Sequence, residues 1–151
     1  MRIVHLTLAL ALIWPSAAFA AGQLVTTESK FSVKETADRL ASALQEKGLN
    51  VVARVDHAAG AKKAGLEMPP AEVLMFGNPK LGTPLMLANP EIAIELPMKI
   101  VIWQDSAGKV QIGYVDPDNL KSRYAVEGKD ETFKTMSKAL SGFAKSAAGM
   151  N

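Results

Sequence analysis

Residues 97–115 read PMKIVIWQDSAGKVQIGYV. Two β-branched, apolar runs, Pro97 to Gln104 and Lys109 to Val115, are joined through Asp105-Ser106-Ala107-Gly108, which reads as a hairpin. So short a link makes the two strands antiparallel, because parallel neighbours need a crossover of a dozen or more residues. The same logic extends outward along the chain. Glu72 to Phe76 is a compact apolar strand introduced by Pro69-Pro70, and residues 24–29 (LVTTES) read as a strand rich in Thr and Val. Residues 50–57 (NVVARVDH) form another strand, and its two-residue period puts Val51, Ala53, Val55 and His57 on one face with Val52, Arg54 and Asp56 on the other.

Between the strands lie helical signals. Ser32 followed by Glu35 is a capping box, and Val33, Ala37, Leu40, Ala41 and Leu44 then recur at helical spacing until Gly48 ends the helix. Ala58 to Ala64 is a short Ala-rich helical turn stopped at Gly65. Residues 77–90 (GNPKLGTPLMLANP) read as a loop plus a short helix, with Thr83 placed to cap it and Pro84 at its first position. Asp116-Pro117-Asp118 starts a short helix reaching Tyr124. Asp130 caps the last helix, whose stripe of Phe133, Met136, Leu140, Phe143 and Ala147 faces the core. Strand, helix, four strands with short helical inserts, then a long helix give an α+β layer fold: one antiparallel sheet with helices packed on one face.

The N-terminal residues carry an address. Arg2 is a positive n-region, Ile3 to Trp14 an apolar run of twelve residues, and Ala18-Phe19-Ala20 a small-x-small cleavage site. Twelve residues are too few to span a bilayer, which needs roughly 20. The expectation is a signal peptide over residues 1–20, cut after Ala20, leaving one domain at 21–151 that is periplasmic or secreted and no longer membrane-bound. Without Arg2, the 17 basic residues fall to 16 against 15 acidic ones. Net charge near zero leaves no electrostatic footprint for nucleic acid. The sequence contains no Cys, which excludes disulfides, thiol chemistry and thiolate metal sites.

Candidate chemistry is sparse. Past the leader, His57 is the one histidine, so zinc of the usual His/Cys type is not expected. Met68, Met75, Met86 and Met98 lack ligand-like clustering and read as core filler rather than copper ligands, so no metal site is assigned. His57, at a strand end entering a helical turn, reads either as a general base or as a core-edge histidine tied to a backbone carbonyl. Asp56 cannot orient it if both lie on the strand, since neighbours there point to opposite faces. The run Gly77 to Pro84 has two glycines, Lys80 and a helix start, and reads either as a cradle for a small acidic ligand or as a rigid loop. Trp103, Tyr114 and Tyr124 suit either an apolar pocket or a sheet–helix core. No Gly-x-Ser-x-Gly supports a nucleophilic triad.

The run ARVDHAAGAKKAGLEMPPAEVLMFGNPKLGTPLM (Ala53 to Met86), with ELPMKIVIW (Glu95 to Trp103) and YVDP (Tyr114 to Pro117), resembles the domain-of-unknown-function 302 (DUF302) family. The likeness covers essentially the whole chain past the leader, and His57, Pro70, Gly77, Asn78, Pro79, Lys80 and Pro97 match the family pattern. It implies a TATA-binding-protein-like curved antiparallel sheet in β-α-β4-α order, and no particular activity or cofactor. It does not imply DNA binding, since fold does not fix function.

The functional expectation is an exported binding or accessory domain. A small acidic ligand or a partner segment would be held by Arg54, His57, Gly77, Asn78, Lys80 and Thr83 in a groove between sheet and helices. A hydrolase or isomerase using His57 as base, with Lys80 or Arg54 stabilising charge, is the second reading. A homodimeric structural module is the third.

Overall fold

Five strands form a single antiparallel sheet in the order β1-β5-β4-β3-β2, in a computed structural model that describes residues 24–150. The expected leader and its cleavage site lie outside the described residues. The strands are β1 Val25–Ser29, β2 Asn50–Asp56, β3 Ala71–Gly77, β4 Met98–Gln104 and β5 Val110–Tyr114. The helices are α1 Val33–Glu46, α2 His57–Lys63, α3 Pro79–Ala88, α4 Pro117–Arg123 and α5 Asp130–Ala148, with a 3-10 turn at Pro90–Glu95. This is the α+β layer architecture expected, helical inserts included.

Alternation builds the core. Leu74 and Phe76 on β3, Met98, Ile100 and Ile102 on β4, and Ile112 and Tyr114 on β5 are all buried on one face. Against them pack Val33, Ala37, Leu40 and Leu44 of α1 and Phe133, Leu140, Phe143 and Ala147 of α5. The Phe76 and Phe143 rings meet edge to face, 6.0 Å apart. The β4–β5 hairpin closes as its sequence requires. The Asp105 carboxylate accepts from the amides of Ala107 and Lys109, both at 2.9 Å, and Gly108 supplies a φ of +77°. At the same end of the sheet, where Ser29 opposes Val110, Ser32 caps α1 by accepting from the Glu35 amide. Gly48 at φ +70° lets the Leu49 amide reach back to the Leu44 carbonyl.

Four local expectations need correction. A bulge between Val51 and Ala53 breaks the period of β2. Val51 opposes Phe76, Arg54 opposes Leu74 and Asp56 opposes Glu72, so Arg54 joins Val51 on the helix-covered face while Ala53 and Val55 lie on the other. His57 opens α2 instead of ending the strand, and Asp56 is that helix's cap, accepting from the Ala59 amide at 2.8 Å. Thr83 does not cap α3. Asn78 does, accepting from the Lys80 amide with Pro79 next to it, so Thr83 and Pro84 sit inside the helix. Finally, Asp130 is the first residue of α5, not its cap; it lies in the first turn and pairs with Lys121, where its charge complements the helix dipole.

Candidate ligand cavity

The end of β3 positions an apolar cavity. Gly77 ends the strand, Asn78 caps α3, and the chain arches out through α3 and back through Pro90–Glu95 to Leu96-Pro97 and β4. Gly77 allows the two feet of this arch to meet: a Cβ there would stand 3.3 Å from the Cβ of Pro97. Between the arch, the sheet end and α5 remains a cavity of about 390 Å³. Phe76 and Met98 from the sheet, Leu81 and Met86 from α3, and Met136 and Phe143 from α5 form its main walls. The β2 bulge places Val52 at its rim.

Among the described residues, none with a charged side chain lines this cavity. Its polar groups are the Asn78 amide, the Thr83 hydroxyl and backbone. Small residues keep it open, with Ala139 on the α5 wall and Gly77 and Gly82 on the arch. An apolar space with a few polar groups at its edge is the usual form of a small-molecule site.

Of the residues expected to form one site, Gly77, Asn78 and Thr83 line the cavity, and Lys80, Arg54 and His57 do not. Lys80 is exposed on α3. Its backbone amide serves the Asn78 cap. Arg54 is committed elsewhere: Nε donates to Glu72 Oε2 and Nη1 to Asp38 Oδ1, both at 2.6 Å. Lys34 also bonds Asp38, at 2.7 Å, extending the network along α1. The Lys34 hydrogen bond, followed by that from Arg54, holds the Asp38 carboxyl below its ordinary range, and the Glu72 hydrogen bond raises the Arg54 guanidinium further. Glu72, only 7 % exposed and directly across from Asp56, is thus matched by a cation.

His57 stands at the far end of the strand pair. Asn50 opposes Gly77 whereas Asp56 opposes Glu72, so five residues of β3, about 17 Å, separate the two ends. His57 is exposed, and among the described residues no side chain hydrogen-bonds to it. The dyad with Asp56 does not form, because the Asp56 carboxylate is used by the helix cap, and among the described residues no backbone carbonyl accepts from the exposed His57 ring. The groove that was to join His57 with the Gly77 to Pro84 run is therefore not one site. Among the described residues no group of three or more His, Cys, Asp or Glu could hold a metal ion, and no helix is long and apolar enough to cross a membrane.

Sequence reasoning missed Met136, Ala139 and Phe143 as cavity residues, since a stripe on α5 reads as ordinary core. The one local signal was Ala139, a small residue on a helix face otherwise filled by Met, Leu and Phe.

Comparisons with known proteins agree with the fold. The family model described as "Domain of unknown function DUF302" matches residues 25–143. A solved structure of a DUF302 protein from Bacillus stearothermophilus is similar with a TM-score of 0.73 at 22% identity, covering 82% of this chain and 97% of that one. Two curated relatives are named "Fluoride-specific ion channel FluC 1". That of Brucella suis biovar 1 (strain 1330) is 42% identical over 136 residues, covering 89% of this chain and 54% of that protein. That of Brucella abortus biovar 1 (strain 9-941) is also 42% identical, covering 89% of this chain and 50% of that protein. The chain spans about half the length of the curated relatives it matches.

Proposed function

This chain belongs to the DUF302 family, and from that premise we propose that it is an exported accessory domain that binds a small apolar ligand in the cavity under α3. The observation that carries the reading is the cavity itself: about 390 Å³, walled by Phe, Met and Leu side chains, with no charged side chain among the described residues that line it. That volume lies within the range of sites that bury most of a small ligand. The expected acidic ligand gives way to an uncharged one, because a carboxylate or phosphate there would lose its hydration without meeting a cation. Export rests on the n-region, apolar run and Ala18-Phe19-Ala20 of the leader.

The hydrolase or isomerase reading needs His57 together with Lys80 or Arg54, and these lie apart, with Arg54 already neutralising two carboxylates. An accessory role beside a membrane protein draws support from the relatives. Their names describe ion channels, and this chain aligns with only about half of each.

The test is titration of the full exported protein with N-phenyl-1-naphthylamine, an uncharged probe that fluoresces in apolar surroundings. Saturable binding of one probe per chain is expected, with a dissociation constant in the micromolar range, roughly 8 kcal/mol. N-terminal sequencing of the same preparation should begin at Ala21. No saturable signal from folded protein would remove the ligand-binding reading.

A further inference from the structure

Size, wall chemistry and rim together narrow what the cavity takes. An engineered cavity of about 150 Å³ lined by aliphatic and aromatic side chains holds one benzene ring. At about 390 Å³ this one has room for roughly two fused rings with a substituent. Three thioethers, of Met86, Met98 and Met136, line it from three different elements, α3, β4 and α5. Thioether sulfur makes favourable contacts with the edges of aromatic rings, a contact that an alkyl chain has no ring to make. The Phe76 and Phe143 rings, already edge to face, offer a further aromatic surface.

The rim adds one polar preference. Asn78 spends its side-chain oxygen on the Lys80 amide, 2.9 Å away, and so fixes the orientation of its amide group. Among the described residues no protein acceptor takes up Asn78 Nδ2, so this exposed residue, which lines the cavity as Thr83 does, keeps a free donor at its edge. With no charged side chain in the lining among the described residues, the matching ligand atom is a neutral oxygen acceptor.

We propose that the cavity selects an uncharged, two-ring aromatic molecule bearing one carbonyl-type oxygen, its rings among the three methionines and its oxygen at Asn78. This rests on the ligand-binding reading above and goes further by naming the ligand class. The Met86 and Leu81 side chains on α3 would close over the rings, and the capped N-terminal turn would hold the donor in place.

The experiment is a calorimetric panel on the full exported protein with 2-acetylnaphthalene, naphthalene, 2-decanone and 2-naphthoate. The ketone 2-acetylnaphthalene should bind tightest, about tenfold over 2-decanone and at least about tenfold over 2-naphthoate. Its advantage over naphthalene should be about three- to tenfold, the size of one neutral hydrogen bond. Asn78→Asp keeps the oxygen that caps α3 and replaces the donor with an acceptor. It should erase the advantage of 2-acetylnaphthalene over naphthalene. If that variant fails to fold, the advantage itself must still appear in the unaltered protein.

Binding of 2-decanone or 2-naphthoate as tight as that of 2-acetylnaphthalene would overturn the ligand class while leaving an apolar site in place. Naphthalene matching 2-acetylnaphthalene would overturn the role of Asn78. Failure of every compound, together with failure of N-phenyl-1-naphthylamine, would overturn the binding site itself.

Discussion

Arg54→Met is expected to destabilise the protein by about 3 kcal/mol, lowering its melting temperature by roughly 10 °C. The side chain is long enough to keep its apolar packing in the variant, so the loss comes from charge. Glu72 is nearly buried at 7 % exposure, and its Oε2 accepts from Arg54 Nε at 2.6 Å. Asp56 stands directly opposite it across the strand pair, which makes the site acidic once Arg54 is gone. Removing one member of a buried pair typically costs 3–5 kcal/mol, and the third of Arg54 that remains exposed puts this case at the lower end. The double variant Arg54→Met with Glu72→Met should recover to within about 1 kcal/mol of the original, since a well-packed apolar pair replaces a buried ionic one at little net cost. Urea denaturation of the four proteins measures this directly. A loss of under 0.5 kcal/mol in the single variant would show that Arg54 is not the counter-charge to Glu72.

Ala139→Trp should abolish binding in the cavity while leaving the fold intact. Ala139 lies on α5 facing the cavity, one turn from Met136 and Phe143. An indole there enters open space rather than a packed core, so the usual overpacking cost of about 1–3 kcal/mol does not apply in full. The ligand is displaced by the protein's own ring. Affinity for N-phenyl-1-naphthylamine should fall at least thirtyfold, about 2 kcal/mol, with the melting temperature unchanged or raised. Thr83→Trp approaches the same space from the α3 wall and should act alike. Unaltered affinity in both variants would place the probe elsewhere.

Much of the fold was legible because its strongest signals are local. The β4–β5 hairpin follows from Asp105 and Gly108, and both ends of α1 follow from Ser32 and the Gly48-Leu49 pair. Which face of β3 and β4 is buried was not legible, since both runs are apolar nearly throughout and the buried face of β3 includes Glu72. The bulge in β2 was not legible, since one extra residue among valines and an alanine leaves no mark in the sequence. It carried the face of Arg54 with it. The start of α3 was expected at Thr83-Pro84, the second of two capping residues each followed by proline, Asn78-Pro79 being the first. The first prevails because a helix begun at Pro79 is long enough to arch from β3 back to the 3-10 turn, at the cost of the hydrogen bond that Pro84 cannot donate.

The site was legible only in part. Gly77, Asn78 and Thr83 were found because they belong to a run whose residue types announce a turn and a helix start. The α5 and β4 walls were not, because cavity-lining and core-filling methionines look alike in a sequence. His57 drew notice through its chemistry alone, and register, not residue type, separates it from the cavity.

The central claim is that an uncharged molecule enters the space under α3, and the methionine methyl groups report on it directly. With the protein carbon-13 labelled at these methyls, addition of N-phenyl-1-naphthylamine should shift the signals of Met86, Met98 and Met136 through the ring currents of the bound probe. Met75, on the face of the sheet away from the helices, and the exposed Met68 and Met150 should stay in place. Shifts confined to Met68, Met75 or Met150, or no shift at a saturating concentration of probe, would contradict the account.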